Sequence, residues 1–430
     1  MSRKLKDPFN GLLRLFLFSK LIIFALAHIS VLLIQENNSA GDLIISLSQN
    51  SRNSNTFDRL VKMFVKPFIR WDAVHFLAIA KNGYVFENQF AFFPLLPMFS
   101  RFVAQYCGLR KFISIELLMA LIGIVFSNFC HYFATVFLYK LTLLIFKSKR
   151  FARISSLLFI FNAASIQLSA MYTEAPFALF TFAGLYAFYS RRKFVASLFW
   201  ALASATRSNG IVLIGFFVYD FLMILSNGRF CIRKIIKEAV SNFIYSLISI
   251  SSFIAFQYYG YLIYCKGSDS ARPWCHYPGL PNIYSFVQGE YWNVGILNYY
   301  TVNNIPNFLF ASPMIIICTS AIFKYSAADP LRFVGVGVIR LNPKNKDQSG
   351  FYNDHLLPHI FLLGFMLYYN GVFAHVQIIT RVFTFMPVLY WFMAHLIIKA
   401  SSIIKNILIS YIGIYALLGT ILFSLNYPPA

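Results

Sequence analysis

The sequence has little charge and very few acids. Only 12% of its 430 residues are charged and 58% are hydrophobic, whereas ordinary soluble domains have about 25% charged and about 45–50% apolar residues. Lys and Arg number 37 against 15 Asp and Glu, which gives a net charge of +22. In a soluble chain this basic excess would suggest a nucleic-acid partner, but the apolar runs here are long enough to span a bilayer. The composition therefore excludes a nucleic-acid module and predicts an all-α polytopic membrane protein.

The motifs that bind metals and nucleotides are also missing. The sequence contains no DxD, HExxH or Cys/His cluster, and no Walker A motif or GxGxxG after a strand, so it predicts neither a metal nor a nucleotide cofactor. The six cysteines form no CxxC pair, and only Cys265 and Cys275 share a loop, where they could pair in an oxidising lumen. No internal repeat is visible, which counts against a transporter built from two halves.

Apolar runs predict about eleven transmembrane helices. The first run, 12–34, reads as a signal anchor behind a basic cytosolic tail. The other predicted spans lie near residues 114–146, 154–171, 175–190, 194–206, 209–226, 239–264, 307–323, 356–372, 380–398 and 406–425. Two of them, 154–171 and 194–206, are short for roughly 30 Å of hydrocarbon, and we expect short spans to line a cavity.

The distribution of basic residues predicts the orientation of a single integral membrane domain, 1–430. With the N-terminus in the cytosol, most Lys and Arg fall in cytosolic segments, including the loop 324–355, as the positive-inside rule requires. Two large loops, 35–113 and 265–306, then face the lumen. Both become strongly apolar, so we expect them to lie on the bilayer surface or to fold into a cavity. Asn37 begins a formal glycosylation sequon close to the membrane.

Asp72 is the first candidate for chemistry. It begins the stretch RWDAVHFLAIA, whose periodicity predicts an amphipathic interfacial helix near residues 71–81. His75 lies three residues further on, on the same helix face. A partly desolvated carboxylate beside an imidazole can act as a general base. The alternative is that Asp72 simply caps the helix, a position that Asp favours.

Three further charged residues lie where predicted spans meet the lumen. Glu174, in SAMYTEAPFALF, is a candidate functional acid or an acid of the next helix's first turn. Arg207, in ALASATRSNG, and Arg381, in HVQIITRVF, can bind a carboxylate or a substrate phosphate. The alternative for each arginine is that it reaches to the interface without a specific partner. His375 and Gln377 lie close to Arg381 along the chain.

Longer strings make the sequence recognisable. Six occur in this order: RWDAVHFLAIAKNGY, FAFFPLLP, MYTEAPF, ATRSNG, YWNVGILNYY followed by IPNFLFASP, and HVQIITR. Together they closely resemble the PIG-V family of glycosylphosphatidylinositol (GPI) mannosyltransferases. The resemblance covers the chain from about residue 70 to 387 and departs mainly before residue 70 and in the loop 324–355.

The resemblance implies a GT-C type glycosyltransferase of the endoplasmic reticulum membrane with a luminal active site. Such an enzyme would take mannose from dolichyl-phosphate mannose and add it in α-1,6 linkage to the mannosyl-glucosaminyl-phosphatidylinositol intermediate, as the second mannose. An α product from a β-linked donor implies inversion by a single displacement. A lipid-phosphate donor needs no metal, and a small accessory membrane subunit is an expected partner.

The resemblance also implies roles for individual residues. Asp72 matches the acidic residue of the family's first luminal loop and is the expected base, with His75 orienting it or contacting phosphate. Arg207 and Arg381 are the expected phosphate ligands. The remaining residues expected to contact the sugars or other parts of the substrates are Trp71, Glu87, Glu174, Asn209, His375 and Gln377. Competing hypotheses are a transporter or scramblase of lipid-linked sugars, another dolichol-dependent mannosyltransferase, and a non-catalytic scaffold subunit.

Overall fold

The computed structural model describes residues 8–37, 41, 56–226, 231–266, 272–276, 282–338 and 350–428, and within these ranges the chain is helical and contains no strand. Most of the polar stretch before residue 56 lies outside the described residues, including the rest of the Asn37 sequon, and so does the middle of the loop 324–355.

Seventeen α-helices make up the described fold, numbered in chain order. They are α1 (Pro8–Leu33), α2 (Thr56–Val65), α3 (Asp72–Asn82), α4 (Leu95–Tyr106), α5 (Ile115–Phe146), α6 (Lys149–Ile160), α7 (Glu174–Tyr189), α8 (Lys193–Ser204), α9 (Gly215–Ser226), α10 (Ile232–Tyr264), α11 (Ile283–Trp292), α12 (Ile305–Ala328), α13 (Pro330–Val334), α14 (Leu357–Val372), α15 (Ile379–Val382), α16 (Pro387–Lys399) and α17 (Ser402–Ser424).

Fewer helices are long enough to span a membrane than the apolar runs predict. Among the described residues six helical stretches are long and apolar enough, namely Phe9–Leu33, Ile115–Phe146, Ser208–Ser226, Ile232–Tyr264, Val302–Ala328 and Ser402–Ser424. A seventh results if Val376–Phe385 and Pro387–Lys399, which meet at 90°, count as one broken span. Other predicted spans are short helices: α7 and α14 have 16 residues each and α8 has 12. The chain is therefore a polytopic helical protein in which several apolar segments are too short to cross alone.

The predicted span 154–171 is wrong in its second half, because α6 ends at Ile160. The chain then runs in turns as far as α7, and we call residues 161–173 the broken segment. Asn162 explains the break locally. Its side-chain oxygen accepts a hydrogen bond from the backbone N–H of Ala164 at 2.8 Å, and its amide nitrogen donates to the hydroxyl of Tyr390 at 2.9 Å. Such local bonds compete with the helical pattern.

The broken segment is buried, so its carbonyl groups need hydrogen-bond donors. Two neighbouring helices supply them. The Lys20 ammonium group of α1 donates to the carbonyl of Leu168 at 3.2 Å and to the hydroxyl of Ser169 at 2.6 Å. From α5, the Asn128 amide donates to the carbonyl of Ser169 at 2.8 Å, and the hydroxyl of Ser127 donates to the carbonyl of Tyr172 at 3.0 Å. Lys20 therefore serves the interior of the protein and does not extend to the membrane surface.

The central helix α5 packs against α4, α6 and α7, and small residues bring these elements close together. A Cβ added to Gly123 on α5 would lie 2.6 Å from the side chain of Met171 in the broken segment. A Cβ on Gly184 of α7 would lie 2.2 Å from the indole nitrogen of Trp200 on α8. Both distances are far below contact distance, so glycine is required at both positions for this packing.

We expect the substitution Lys20→Met to destabilise the protein, because it removes the donor for two buried acceptors. Leaving buried acceptors unsatisfied costs about 1–3 kcal/mol, which thermal unfolding of the purified protein in detergent would measure. The matched control is Lys140→Met in α5, since Lys140 lies over the rings of Phe9 and Phe137 at 5.8 and 5.6 Å. Equal destabilisation by the two substitutions would contradict the role given to Lys20.

Candidate active site

One cavity of about 380 Å³ lies where the start of α3, the broken segment, α11 and the segment before α15 meet. Seven of the ten residues that the sequence predicts for the site line it: Trp71, Asp72, Arg207, Asn209, His375, Gln377 and Arg381. These residues come from three parts of the chain, near residues 71, 207 and 375, so the fold brings together strings that are more than 300 residues apart. Asp72 is the one acid among the described residues that line the cavity.

The backbone at the start of α3 is set in an unusual conformation. Trp71 is the N-cap residue, with φ 52° and ψ −122°, and Asp72 is the first residue of the helix. A non-glycine residue in such a conformation costs on the order of 1–3 kcal/mol and needs support from its surroundings. Trp71 is 39% exposed and lines the cavity. The strained turn thus directs both Trp71 and Asp72 toward the cavity.

Asp72 does not cap its own helix through its side chain. Its carboxylate instead accepts a hydrogen bond from Arg381 at 2.5 Å, and the Asp72 side chain remains 29% exposed. The capping alternative is therefore wrong, because Trp71 is the N-cap residue and Asp72 follows it as the first residue of the helix. An acid in the first turn still interacts favourably with the helix dipole.

Arg381 belongs to a network of four charges at the floor of the cavity. Its guanidinium lies 3.5 Å from the carboxylate of Glu174, and that carboxylate lies 2.7 Å from the guanidinium of Arg207. The Glu174 side chain is 1% exposed, while the two arginines are 20% and 19% exposed. A buried carboxylate of this kind requires a cationic partner. Glu174 therefore binds both arginines, and Arg381 also binds Asp72.

Tyr172 and Arg70 hold in place the backbone that leads into Asp72, next to this network. The hydroxyl of Tyr172 accepts a hydrogen bond from the backbone N–H of Asp72 at 3.2 Å, and the Arg381 guanidinium lies 5.7 Å from the centre of the Tyr172 ring. Burial, and then the charge of Asp72, raises the pKa of Tyr172, so its phenol stays protonated. Arg70 is fully buried and binds Glu36 at 2.5 Å and the carbonyl of Ser424 at 3.2 Å.

His375 joins the wall formed by α11 to the segment that carries Arg381. Its Nε2 donates to the backbone carbonyl of Trp292 at 2.8 Å, and its ring stacks on Tyr299 with centroids 4.7 Å apart. Burial lowers the pKa of His375, although the carbonyl of Trp292 acts in the opposite direction. His375 is therefore a neutral donor that closes one side of the cavity.

The cavity also contains neutral polar groups that suit sugar hydroxyls. Asn209, Gln377, Gln167 and Gln288 line it. Gln167 is only 3% exposed, and its side-chain oxygen has no hydrogen-bond partner in the described part of the chain. The same holds for the indole nitrogen of Trp292, which is buried at the cavity wall. An unpaired buried acceptor and an unpaired buried donor are the groups that a bound hydroxyl would satisfy.

The described residues contain no group of three or more His, Cys, Asp or Glu side chains that could hold a metal ion. The polar side chains that line the cavity are those of Asp72, His375, two arginines, several amides and several hydroxyl residues.

Comparison with known proteins identifies the family. The model of the mannosyltransferase (PIG-V) family matches residues 9–430. This chain belongs to the PIG-V mannosyltransferase family. It is similar to the mouse protein named GPI alpha-1,6-mannosyltransferase 2, at 33% identity over 82% of this chain and 77% of the relative. A Candida albicans protein named GPI mannosyltransferase 2 is 27% identical over 97% of this chain and 99% of its own length.

Three predicted site residues of this PIG-V family member lie outside the cavity lining. Glu174 lies directly beneath it in the charge network. His75 stacks on Phe92, with ring centroids 4.5 Å apart, and packs edge-on against Trp292. Burial lowers the pKa of His75, although the charge of Asp72 acts to raise it. Glu87 is bound by residues of the second large loop and does not face the cavity.

Several residues that line or adjoin the cavity of this PIG-V family member are absent from the sequence-based prediction. Gln167 lies in a segment that reads as a membrane span, and Gln288 and Trp292 lie in an aromatic loop with no charge pattern. Arg70 and Tyr172 flank predicted residues within the strings RWDAVHF and MYTEAPF, so those strings were the available signal. Their roles depend on contacts with partners from 34 to 354 residues away.

We expect Glu174→Gln to be strongly destabilising, because it leaves two arginines without their shared buried counter-charge. Breaking a buried ion pair costs about 3–5 kcal/mol. We expect a loss of roughly 3 kcal/mol, because both arginines are about a fifth exposed. Thermal unfolding in detergent measures it, with Glu290→Gln, an exposed acid on α11, as the control. Unchanged stability in Glu174→Gln would contradict the network.

Proposed function

We propose that this protein transfers mannose from dolichyl-phosphate mannose, in α-1,6 linkage, to the mannosyl-glucosaminyl-phosphatidylinositol intermediate, so that it adds the second mannose of the GPI anchor. Membership of the PIG-V family and the names of the relatives support the reaction and its linkage. The observation that carries the mechanism is the position of Asp72, the one acid among the described cavity residues, next to an arginine.

Asp72 is the general base in this proposal. The acceptor's 6-hydroxyl oxygen attacks the anomeric carbon of the donor mannose, and its proton passes to the Asp72 carboxylate. The bond between the anomeric carbon and the phosphate oxygen breaks, and dolichyl phosphate leaves with the electron pair. Attack opposite a β-linked phosphate gives an α-linked product by inversion. Asp72 suits the role because it is partly exposed, whereas Glu174 is buried and committed to two arginines.

Arg381 and Arg207 stabilise the departing phosphate. Arg381 is hydrogen-bonded to Asp72, and a donor phosphate bound at the guanidinium competes with Asp72 for it. Binding of the donor therefore frees the carboxylate at the moment when a base is needed.

Neutral groups in the cavity suit the sugar rings. Amide side chains both donate to and accept from hydroxyl groups, and we assign this role to Asn209 and Gln377, together with Gln167 and Gln288. Trp71 presents an exposed ring to the cavity, where it can pack against the apolar face of a pyranose. A lipid-phosphate donor carries no nucleotide diphosphate, so the reaction needs no metal in this proposal.

We place the cavity on the luminal side of the endoplasmic reticulum membrane, in a GT-C type fold. Support comes from the disulfide between Cys265 and Cys275, because disulfides persist in oxidising compartments. This bond lies in the same loop as α11, which forms a wall of the cavity. A small accessory membrane subunit remains an expected partner in this proposal.

We expect Asp72→Asn to reduce mannose transfer by at least a thousandfold while expression and membrane insertion are retained. Asn keeps the size and the hydrogen bond to Arg381 but cannot accept the proton. The measurement is transfer of labelled mannose by membranes that contain the variant, and Glu290→Gln on α11 is the matched control. Full activity in Asp72→Asn would remove Asp72 as the base.

The pathway step is tested with membranes depleted of this protein and given labelled dolichyl-phosphate mannose. We expect the one-mannose glycolipid to accumulate and to be converted when the protein is restored. Accumulation of a different intermediate would assign the protein to another transfer. Normal glycolipids together with altered movement of lipid-linked sugars would favour a transporter or scramblase instead.

A further inference from the structure

The geometry points to a further role for Glu87: it is a positioning residue that holds α11, one wall of the cavity, in place through a clamp closed by the disulfide between Cys265 and Cys275. This inference rests on the proposed function, since it concerns the binding of that enzyme's substrates. We call Glu87, Arg272, Trp274 and Tyr291 the Glu87 clamp.

Every acceptor position of the Glu87 carboxylate is engaged by the second large loop. One oxygen accepts from Arg272 Nε at 3.0 Å and from Trp274 Nε1 at 2.8 Å. The other accepts from Arg272 Nη2 at 2.6 Å and from the Tyr291 hydroxyl at 2.9 Å. Glu87 is 7% exposed. A carboxylate with four donors in place has no free position for a sugar hydroxyl.

The charge of Glu87 is stabilised where it lies. Burial acts to raise the pKa of this carboxyl, but the hydrogen bonds from Arg272, Trp274 and Tyr291 outweigh it and lower the pKa. Glu87 therefore stays ionised at neutral pH, and the clamp keeps its charge-assisted bonds, which are stronger than bonds between neutral groups.

The disulfide ties the clamp to the membrane domain. Cys265 follows the last residue of the long helix α10, and Cys275 directly follows Trp274. Trp274 is fully buried in an apolar cluster with Phe90 and Ile283, which lie next to the clamp in the first loop and at the start of α11. The covalent bond limits how far Arg272 and Trp274 can move from the end of α10.

The spacing along α11 connects the clamp to the cavity. Residues 283, 287 and 291 lie on one face: Ile283 and Val287 are fully buried in the apolar cluster, and Tyr291 donates to Glu87. Residues 284, 288 and 292 follow each of these by one position, and all three line the cavity. Because side chains four residues apart share a helix face, a shift of the clamp face moves the cavity face with it.

The far end of α11 is fixed as well, since the carbonyl of Trp292 accepts the hydrogen bond from His375. The wall is thus held between the clamp at one side and the segment carrying Arg381 at the other. Loss of the clamp leaves Asp72 and the two arginines in their network but loosens Gln288. We therefore expect loss of the clamp to raise KM by a larger factor than it lowers kcat.

The test compares Glu87→Ala and Glu87→Gln with the unmodified protein in membranes, measuring KM for the glycolipid acceptor and kcat separately. We expect Glu87→Ala to raise KM about tenfold and to lower kcat by less than threefold, and Glu87→Gln to lie between it and the unmodified protein. The matched control is Lys81→Met, which breaks the ion pair of Lys81 with Glu116 at 3.1 Å outside the cavity lining and should leave KM unchanged.

A double-mutant cycle separates positioning from general loss of stability. If Glu87 acts through Gln288, then Gln288→Ala raises KM in the unmodified protein and adds little in the Glu87→Ala background. Reduction of the disulfide with dithiothreitol should likewise raise KM and add little to Glu87→Ala. Independent, multiplying effects of Glu87→Ala and Gln288→Ala, or a KM unchanged by reduction, would overturn the inference.

A readout that does not depend on activity distinguishes failure of the clamp from failure of the proposed function. In Glu87→Ala we expect the disulfide to be reduced faster, because Trp274 and Arg272 lose their partner. Counting maleimide-labelled thiols by intact mass over time measures this rate, with Lys81→Met again as control. An unchanged reduction rate would overturn the clamp. Absence of mannose transfer in the unmodified protein would overturn the proposed function, and the rate of disulfide reduction would still test the clamp.

Discussion

Two arginines share one buried carboxylate at the centre of this protein, and the arrangement of the cavity depends on that sharing. Glu174 is withdrawn from solvent and cannot remain charged there without Arg207 and Arg381. Arg381 in turn holds Asp72, which the strained turn at Trp71 presents to the cavity. One electrostatic requirement thus joins four segments of the chain, and Asp72 is the accessible acid of the network while Glu174 is buried.

The helical class and most helix positions could be predicted from hydrophobic runs, and α3 from its periodicity. The positions where helices break could not be predicted in this way. The broken segment looks like part of an ordinary span because it contains no charged residue, and one donor that satisfies it, Lys20, lies 148 residues away. The 90° bend before Pro387 is similarly hidden, since a proline in the first turn is also common in unbroken helices.

The residues that line the cavity were more predictable than the fold around it, because acids are rare and charged residues stand out against an apolar background. That scarcity led to Asp72 and Glu174, whereas the two arginines were chosen for their position where predicted spans meet the lumen. It also led to Glu87, whose partner Arg272 lies 185 residues further along the chain. The rarity of an acid does not tell whether it binds substrate or holds two protein segments together. Neutral residues such as Gln167 and Gln288 carry no signal of this kind, and only the shape of the cavity reveals them.

The contact of Lys20 with the broken segment has a consequence for biosynthesis. At a synthesis rate of about 5–20 residues per second, the 148 residues between Lys20 and Leu168 take roughly 7–30 s to emerge. During that interval α1 carries an ammonium group within its apolar run without its final acceptors, at a cost of about 2.5–3.5 kcal/mol if it lies at the membrane centre. The first helix therefore enters the membrane before Lys20 has its final acceptors, and Lys20 gains them only after the broken segment has been synthesised.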